Sequence, residues 1–415
     1  MSELIDNNTQ RKQQLGQLIR RLHDGASVED VRADFERDFG SVSAAEIAEV
    51  EQALIRDGLP VAEVQRLCDV HSAVFRGSIE EIHRPADPTA VPGHPIHTMR
   101  RENAALESLI ADHLRPHLED YAVNNSQSAL SALREDIAHL AGIGLHYSKK
   151  ENLFFPFLEQ YGITAPPKVM WGVDDEIRDA IREIRTSLES LEDRRPILRE
   201  KVEAVLVKVG DMVFKEENIL FPMMMETLTP RDWFVVAGGI GEIGYYLIDG
   251  APAWNPGDIP QSPPEAAPAA EAETMPPVAP DARLALPSGS MSLEEIVRML
   301  DTLPLDITFV DADDTVRYFS QGRDRIFART LAVIGRKVVN CHPPASMHVV
   351  EKILEDLKSG RKDHEDFWIR MGGRIVYIRY FAVRSAEGAY LGTLEVTQDI
   401  APIQGLAGEK RLVSD

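Results

Sequence analysis

The sequence is poor in cysteine, in basic residues and in long apolar runs. Only Cys68 and Cys341 occur among its 415 residues, which excludes a disulfide framework, and neither lies in a Cys-x-x-Cys zinc pattern. Lysine and arginine number 45 against 67 acidic residues, and the formal charge of −22 disfavours binding to nucleic acid or anionic membranes. No apolar run approaches the roughly 18 residues of a membrane span, and the N-terminus has no signal-peptide core. These absences predict a cytoplasmic protein that binds neither nucleic acid nor membrane.

Proline, by contrast, is concentrated in one segment. Residues 251–288 contain ten of the 26 prolines, separated mainly by alanine and glutamate. Such a composition cannot form a core and gives an extended, semi-rigid spacer. We therefore predict a linker at 251–288 that divides a helical N-terminal part from a shorter C-terminal part.

Helical periodicity dominates the chain before the linker. Four long segments with apolar stripes lie at roughly 94–120, 127–160, 168–190 and 196–227, with short breaks between them. Helices joined by short connections predict an up-and-down four-helix bundle. Residues 231–250 follow as a packed tail, in which a Gly-Gly pair leaves helix and strand both open.

The pattern changes after the linker. Ser292 and Glu295 form a capping box that predicts a short helix, and the runs DITFVDA and TVRYFS follow as two β-rich segments. A helix is predicted at 346–359, before three more strand-like runs, EDFWIRM, RIVYIRYFAVRS and AYLGTLEVTQDI. The predicted fold class is therefore multidomain, with an all-α N-terminal region containing a four-helix bundle and a C-terminal α+β domain.

Two stretches before the linker nearly repeat each other. HYSKKENLFFP at 146–156 and FKEENILFPMM at 214–224 both contain Glu-Asn, two apolar residues, Phe and Pro. A carboxylate that faces a core must be paired, metal-bound or protonated, and helical bundles build metal sites from facing helices. The candidate metal ligands are His94, His97, Glu102, His146, Glu151 and Glu216, with His71, Asp174, Met212 and Glu217 as additional candidates.

These motifs resemble known families. A histidine, an acid about one turn later and a Leu-Phe-Pro exit are similar to the hemerythrin-like (HHE cation-binding) domain, here at 90–230. The run LCDVHSAVF resembles the helical domain DUF438, here at 1–85. After the linker, GRKVVNCHPPAS and YLGTLEVTQDI resemble a PAS domain, here at 289–402. Together the three resemble one bacterial family of DUF438/hemerythrin/PAS proteins.

The resemblance implies a non-heme, dinuclear iron site and a sensor or regulator of O₂, NO or redox state. The PAS domain would add a second input, a protein partner or a homodimer contact. Three alternatives stay open: a di-iron oxidoreductase for NO or peroxide, a heme site with His146 and Met212 as axial ligands, and a metal-free interaction scaffold. In the scaffold, the runs 149–151 and 215–217 would be solvated charged faces. Whether the protein is an enzyme is therefore open.

This sequence departs from the family pattern at the ligand positions. Lys150 stands four residues after His146, and the acid Glu151 comes only at the fifth position. In a regular α-helix that step turns the side chain by about 140° from His146, although a π-bulge would restore the alignment. Met212 stands where a histidine would precede Glu216 by four, and Asp174 where a histidine is often found. The candidate ligands that remain are mostly oxygen donors, which favour Fe or Mn.

Two further candidates lie in the PAS-like domain. Cys341 and His342 precede two prolines, and either side chain is a heme-ligand candidate. The alternative is that Pro343 and Pro344 shape a turn in which the histidine caps the next helix.

Overall fold

A computed structural model describes residues 91–189, 195–254 and 283–408 except 324, 328 and 372, together with Arg21. These residues belong mainly to two compact units, one before and one after the linker. Apart from Arg21, the predicted DUF438-like domain lies outside the described residues, and so does the candidate ligand His71. Within the described ranges, no helix combines the length and the apolar character needed to cross a membrane.

The first unit is helical and contains the four predicted bundle helices, α1 to α4, followed by α5. Helices α1, α2 and α4 each contain a π-helical segment. Their bounds are Pro95–Ser108, Leu109–Leu114 (π) and Arg115–Asn124 for α1; Gln127–Ala141, Ile143–Lys149, Lys150–Phe154 (π) and Phe155–Gln160 for α2; Ala165–Glu189 for α3; Arg195–Lys215, Glu216–Leu220 (π) and Phe221–Thr227 for α4; and Pro230–Ile243 for α5.

Local sequence signals explain where these helices begin and end. Asn125 ends α1 in the left-handed conformation (φ 46°), which asparagine tolerates better than most residues. The hydroxyl of Ser126 then caps α2 by accepting a hydrogen bond from the backbone N–H of Ala129 at 3.1 Å. Thr229 and Asp232 form a reciprocal capping box at the start of α5. The tail that was open between helix and strand is thus a helix as far as Ile243.

The bundle closes around one apolar core. Helix α1 contacts α2 and α4, α3 contacts the same two helices, and α5 lies against α1 and α2. Tyr246 and Trp254, beyond α5, are buried in the same core, so the first residues of the predicted linker pack against the bundle. The largest fully buried apolar side chains include those of Phe154, Phe155 and Phe221.

The two near-repeats coincide with π-helical segments of α2 and α4. In each case the π segment ends just before a Phe-Pro pair, so Pro156 and Pro222 fall in the first turn of the helical piece that follows. A proline lacks an N–H and clashes with the carbonyl four residues earlier, which a locally widened turn relieves. The side-chain amides of Asn152 and Asn218 donate to the carbonyls of Ser148 and Phe214, each at 2.9 Å. The shared asparagine therefore supports the backbone at each widened turn.

The second unit is an α+β domain built on an antiparallel sheet, as predicted. The elements are β1 Arg283–Leu286, β2 Gly289–Ser292, α6 Leu293–Thr302, β3 Asp306–Asp311, β4 Val316–Phe319, short 3-10 turns at Leu331–Val333, Val338–Cys341 and Pro344–Ser346, α7 Met347–Lys358, β5 His364–Met371, β6 Arg374–Arg384, β7 Tyr390–Asp399 and α8 Ala401–Gln404. The five main strands are hydrogen-bonded in the order β4-β3-β7-β6-β5, and β1 and β2 form a separate hairpin. Helix α7 lies against β6 and β7.

Candidate functional site

His146 lies at the centre of a buried group of charged side chains in the bundle. Its Nδ1 is 2.7 Å from Oε2 of Glu102 on α1, and its Nε2 is 3.0 Å from Oε2 of Glu216 on α4. A carboxylate only accepts hydrogen bonds, so this geometry favours an imidazolium that donates from both nitrogens. Burial alone would lower the pKa of His146, but the two carboxylates outweigh it and the pKa is raised.

Glu102 connects this histidine to a lysine and to the tail. The Nζ of Lys149 lies 2.9 Å from Oε1 of Glu102, and the backbone N–H of Tyr246 donates to the same oxygen at 2.9 Å. Burial would raise the pKa of Glu102, yet the donors, with His146 foremost, lower it overall. The pKa of Lys149 is lowered because burial is only partly offset by Glu102. Glu102 is therefore a fully engaged carboxylate on the inner face of α1.

Lys150 is a fully buried cation in this part of the bundle. Its side chain has no exposed surface, and its Nζ lies 2.8 Å from Oδ1 of Asp174 and 2.5 Å from Oε1 of Glu216. The ammonium also stands over the ring of Tyr147, 4.2 Å from the centroid. Burial would lower the pKa of Lys150, but the two carboxylates raise it above its usual value. One ammonium thus joins α2 to α3 and α4.

The two carboxylates beside Lys150 differ in their electrostatics. Burial raises the pKa of Asp174 to about 7, because Lys150 offsets only part of the desolvation. Burial also acts upward on Glu216, but Lys150 and His146 together lower its pKa to about 2. Glu216 is the better-compensated anion, and ionised Asp174 carries a cost in the folded state.

The remaining predicted acids pair outside this centre. Glu151 forms a two-fold ion pair with Arg178 of α3, with N–O distances of 2.7 and 2.9 Å. Glu217 accepts hydrogen bonds from Arg100 at 2.8 Å and from Asn103 at 3.2 Å. Both carboxylates are therefore held by donors at the rim of the network.

The other predicted bundle ligands are His94, His97 and Met212. His94 begins α1, where its Nδ1 accepts from the backbone N–H of Ile96 at 3.2 Å, and its ring packs against Trp233 and Trp254. His97 is half-buried, and its pKa is lowered by burial and by neighbouring arginines. Met212 is 1% exposed and belongs to the apolar core. His94 therefore caps α1, His97 is half-buried near arginines, and Met212 is a core residue.

In the PAS-like unit, Cys341 ends a short 3-10 turn and His342 follows it. The Sγ of Cys341 lies 3.8 Å from the carbonyl oxygen of Lys337, and the side chain packs against a small apolar cluster. Burial lowers the pKa of His342. Cofactor binding by this pair stays a prediction.

We call the six side chains Glu102, His146, Lys149, Lys150, Asp174 and Glu216 the ion network. The ion network does not fit a dinuclear iron centre. Both nitrogens of His146 face carboxylates, and an ammonium group has no lone pair for a metal. In the described ranges, no group of three or more His, Cys, Asp or Glu side chains is arranged to hold a metal ion. Iron ligation by the predicted residues would require both lysine contacts to be displaced.

Interpreting the charged runs as solvated faces is wrong. Lys149, Lys150 and Glu216 are at most 1% exposed, and Lys215 and Glu151 are at most 5% exposed. The sequence predicted the acids but missed the two lysines as their partners. The available signal was Lys150 itself, four residues after His146 and hence on the same face of a helix.

Three family models match separate parts of the chain. Residues 15–81 match DUF438, a family of unknown function; residues 94–224 match the hemerythrin HHE cation binding domain; and residues 296–401 match a PAS domain. All three predicted resemblances are confirmed. The hemerythrin match implies a possible metal cofactor, iron, for this class of domain.

Several solved structures are similar to parts of the chain. A C-terminal domain from Streptococcus mutans is 35% identical, with 31% of this chain and 100% of that chain covered and a TM-score of 0.30. A PAS domain from Colwellia psychrerythraea is 15% identical, with coverages of 26% and 98% and a TM-score of 0.22. A sensory box sensor histidine kinase from Vibrio cholerae is 10% identical, with coverages of 26% and 90% and a TM-score of 0.21. No curated protein matches the chain.

Proposed function

We propose that this chain is a sensory or regulatory protein that acts through a protein contact. It belongs to the family of proteins that join a DUF438 region, a hemerythrin-like domain and a PAS domain. The hemerythrin and PAS matches support a sensory role. The observation that supports action through a contact is helix α6 at the start of the PAS-like unit. None of its ten residues is buried by other described residues.

Helix α6 is amphipathic: it contacts β2 and half-buries Ile296, Val297 and Leu300, but other apolar side chains stay exposed. Leu293 is 51% exposed and Met299 is 48% exposed, although an aqueous helix usually turns such side chains toward a core. An isolated helix of ten residues is marginal in water, even with the capping box of Ser292 and Glu295. Exposed apolar side chains on a short, well-capped helix are typical of an interaction surface.

A second copy of this chain is the partner that α6 fits. The helix carries the acidic residue Glu294 near its start and the basic residue Arg298 one turn later. Two such helices packed in opposite directions would place each arginine near the acid of the other copy. A two-fold contact of this kind uses the same patch on both subunits and is the commonest form of homo-oligomer.

Sedimentation velocity of the full chain over a range of concentrations tests this contact. We expect a concentration-dependent dimer that is lost when Leu293→Glu and Met299→Glu are combined, because two buried carboxylates would oppose association. The matched control is Leu406→Glu, an exposed apolar side chain of the same unit, which should leave the dimer intact. A wild-type chain that stays monomeric at high micromolar concentration would refute the proposal.

The signal that the protein would detect is a separate question. Detection of O₂ or NO through iron, or di-iron oxidoreductase activity, would need a metal centre that the ion network does not fit. Repeating the sedimentation experiment anaerobically with and without NO tests a diatomic input directly. A change in the monomer–dimer equilibrium would support such an input, and an unchanged equilibrium would favour a regulatory scaffold.

A further inference from the structure

We propose that the ammonium group of Lys150, supported by Lys149, serves as the cation that these inward-facing carboxylates require, and that the bundle therefore folds without a metal ion. Metal-bound carboxylates in a helical bundle are compensated by a multiply charged ion between the helices. Here the same need is met by side chains that the chain itself supplies.

The ion network already contains its own cations. Three carboxylates, those of Glu102, Asp174 and Glu216, face the ammonium groups of Lys149 and Lys150 and the imidazole of His146. A divalent metal added to this set would place further positive charge beside two buried ammonium groups, which carries a high cost.

The cations also connect the helices, as a bridging metal would. Both lysines and His146 belong to α2. Lys149 and His146 contact α1 through Glu102, while Lys150 contacts α3 through Asp174 and α4 through Glu216. One helix thus holds the other three, as a central ion would.

The oxygen atoms nearest His146 are already engaged. Oε1 of Glu102 accepts from Lys149 and from a backbone N–H, and its Oε2 faces His146. Oε1 of Glu216 faces Lys150 and its Oε2 faces His146. A metal ion would have to displace an ammonium group from each carboxylate, and its binding free energy would be reduced by that cost.

Two departures from the family pattern both disfavour metal binding. Lys150 stands where the hemerythrin-like motif has an acid, and Met212 stands where that motif has a histidine. The first change introduces a positive charge, and the second removes a nitrogen donor from the helix that carries Glu216. Met212 packs in the apolar core, as a thioether without a metal would.

Metal analysis combined with thermal unfolding tests the proposal on the full chain. The protein is expressed in iron-supplemented medium, purified anaerobically, and analysed for iron by inductively coupled plasma mass spectrometry. We expect iron well below one atom per chain, and a melting temperature that neither chelator nor added Fe²⁺ changes. Stoichiometric iron in the wild type, reduced by Glu216→Ala, would overturn the proposal, and so would a clear rise in melting temperature with Fe²⁺.

A double-variant comparison gives a second measurement that does not depend on metal content. Lys150→Met removes the cation, and Glu216→Gln removes one of its anions. If the ammonium compensates Glu216, the pair of substitutions should lower the melting temperature by less than the two single effects added together. Additive effects would contradict the assigned contact. Lys208→Met, which removes an exposed lysine paired with Glu176, is the matched control and should change the melting temperature little.

Discussion

Replacing Lys150 by methionine removes a buried charge while retaining most of the length of the side chain. The ammonium group contacts Asp174 at 2.8 Å and Glu216 at 2.5 Å, and all three side chains are essentially inaccessible to water. Removing one partner of a buried ion pair leaves an uncompensated charge and costs about 3–5 kcal/mol of unfolding free energy. The matched exposed pair, Lys208 with Glu176, should contribute at most about 1 kcal/mol.

Urea unfolding followed by tryptophan fluorescence measures this difference. Trp171, Trp233 and Trp254 lie in the helical unit, whereas Trp368 lies in the PAS-like unit and is 70% exposed. A Trp368→Phe background therefore makes the signal report the bundle alone, which matters because a two-unit chain need not unfold in one step. With a denaturant slope of about 2–3 kcal/mol/M, Lys150→Met should lower the midpoint by about 1–2.5 M urea.

The result that would refute this reasoning is a Lys150→Met midpoint within error of the Lys208→Met midpoint. Such an outcome would mean that Asp174 and Glu216 are compensated by something other than this lysine. A bound cation would be the first explanation to test, by repeating the titration in the presence of a chelator.

Three further predictions follow from the same contacts. The folded-state pKa of Asp174, about 7, lies above the unfolded value of 3.8. The contribution of this group to stability is therefore present below the unfolded pKa and is lost as pH rises through 7. Asp174→Asn should flatten the pH dependence of urea unfolding across that window. Asn152→Ala and Asn218→Ala should each cost about 1 kcal/mol, because each removes a side-chain donor to a carbonyl beside a π-helical segment; urea titration measures both losses. Combining Lys150→Glu with Met212→His should create Fe²⁺ binding that the wild type lacks, detected as metal retained after desalting; a variant that folds but retains no metal would show that these positions do not decide binding.

The architecture could be predicted from local signals. The capping box of Ser292 and Glu295 correctly predicted the start of α6, and the strand-like runs after it correspond to β3 to β7. These predictions succeed because caps and apolar periodicity depend on neighbours in sequence, which a single chain displays directly.

The interior of the bundle was harder to predict. Spacing from His146 left two residues to consider, Lys150 at the fourth position and Glu151 at the fifth, and only the position of a π-helical turn decides which of them faces the core. The π segment begins at Lys150, and the lysine contacts the inner carboxylates while Glu151 pairs with Arg178. In the sequence, a run of charged residues also resembles a solvated face. The paired residues lie between 24 and 70 positions apart, so their pairing leaves no local pattern.

The central claim is that a lysine ammonium holds the place of a metal ion among the carboxylates of this bundle. A crystal structure of the full chain grown with Fe²⁺, with diffraction data collected on both sides of the iron absorption edge, tests it most directly. The account predicts no anomalous peak within the bundle and the Nζ of Lys150 within hydrogen-bonding distance of Asp174 and Glu216. A strong iron peak ligated by Glu102, His146 and Glu216, with Lys150 turned away, would contradict it.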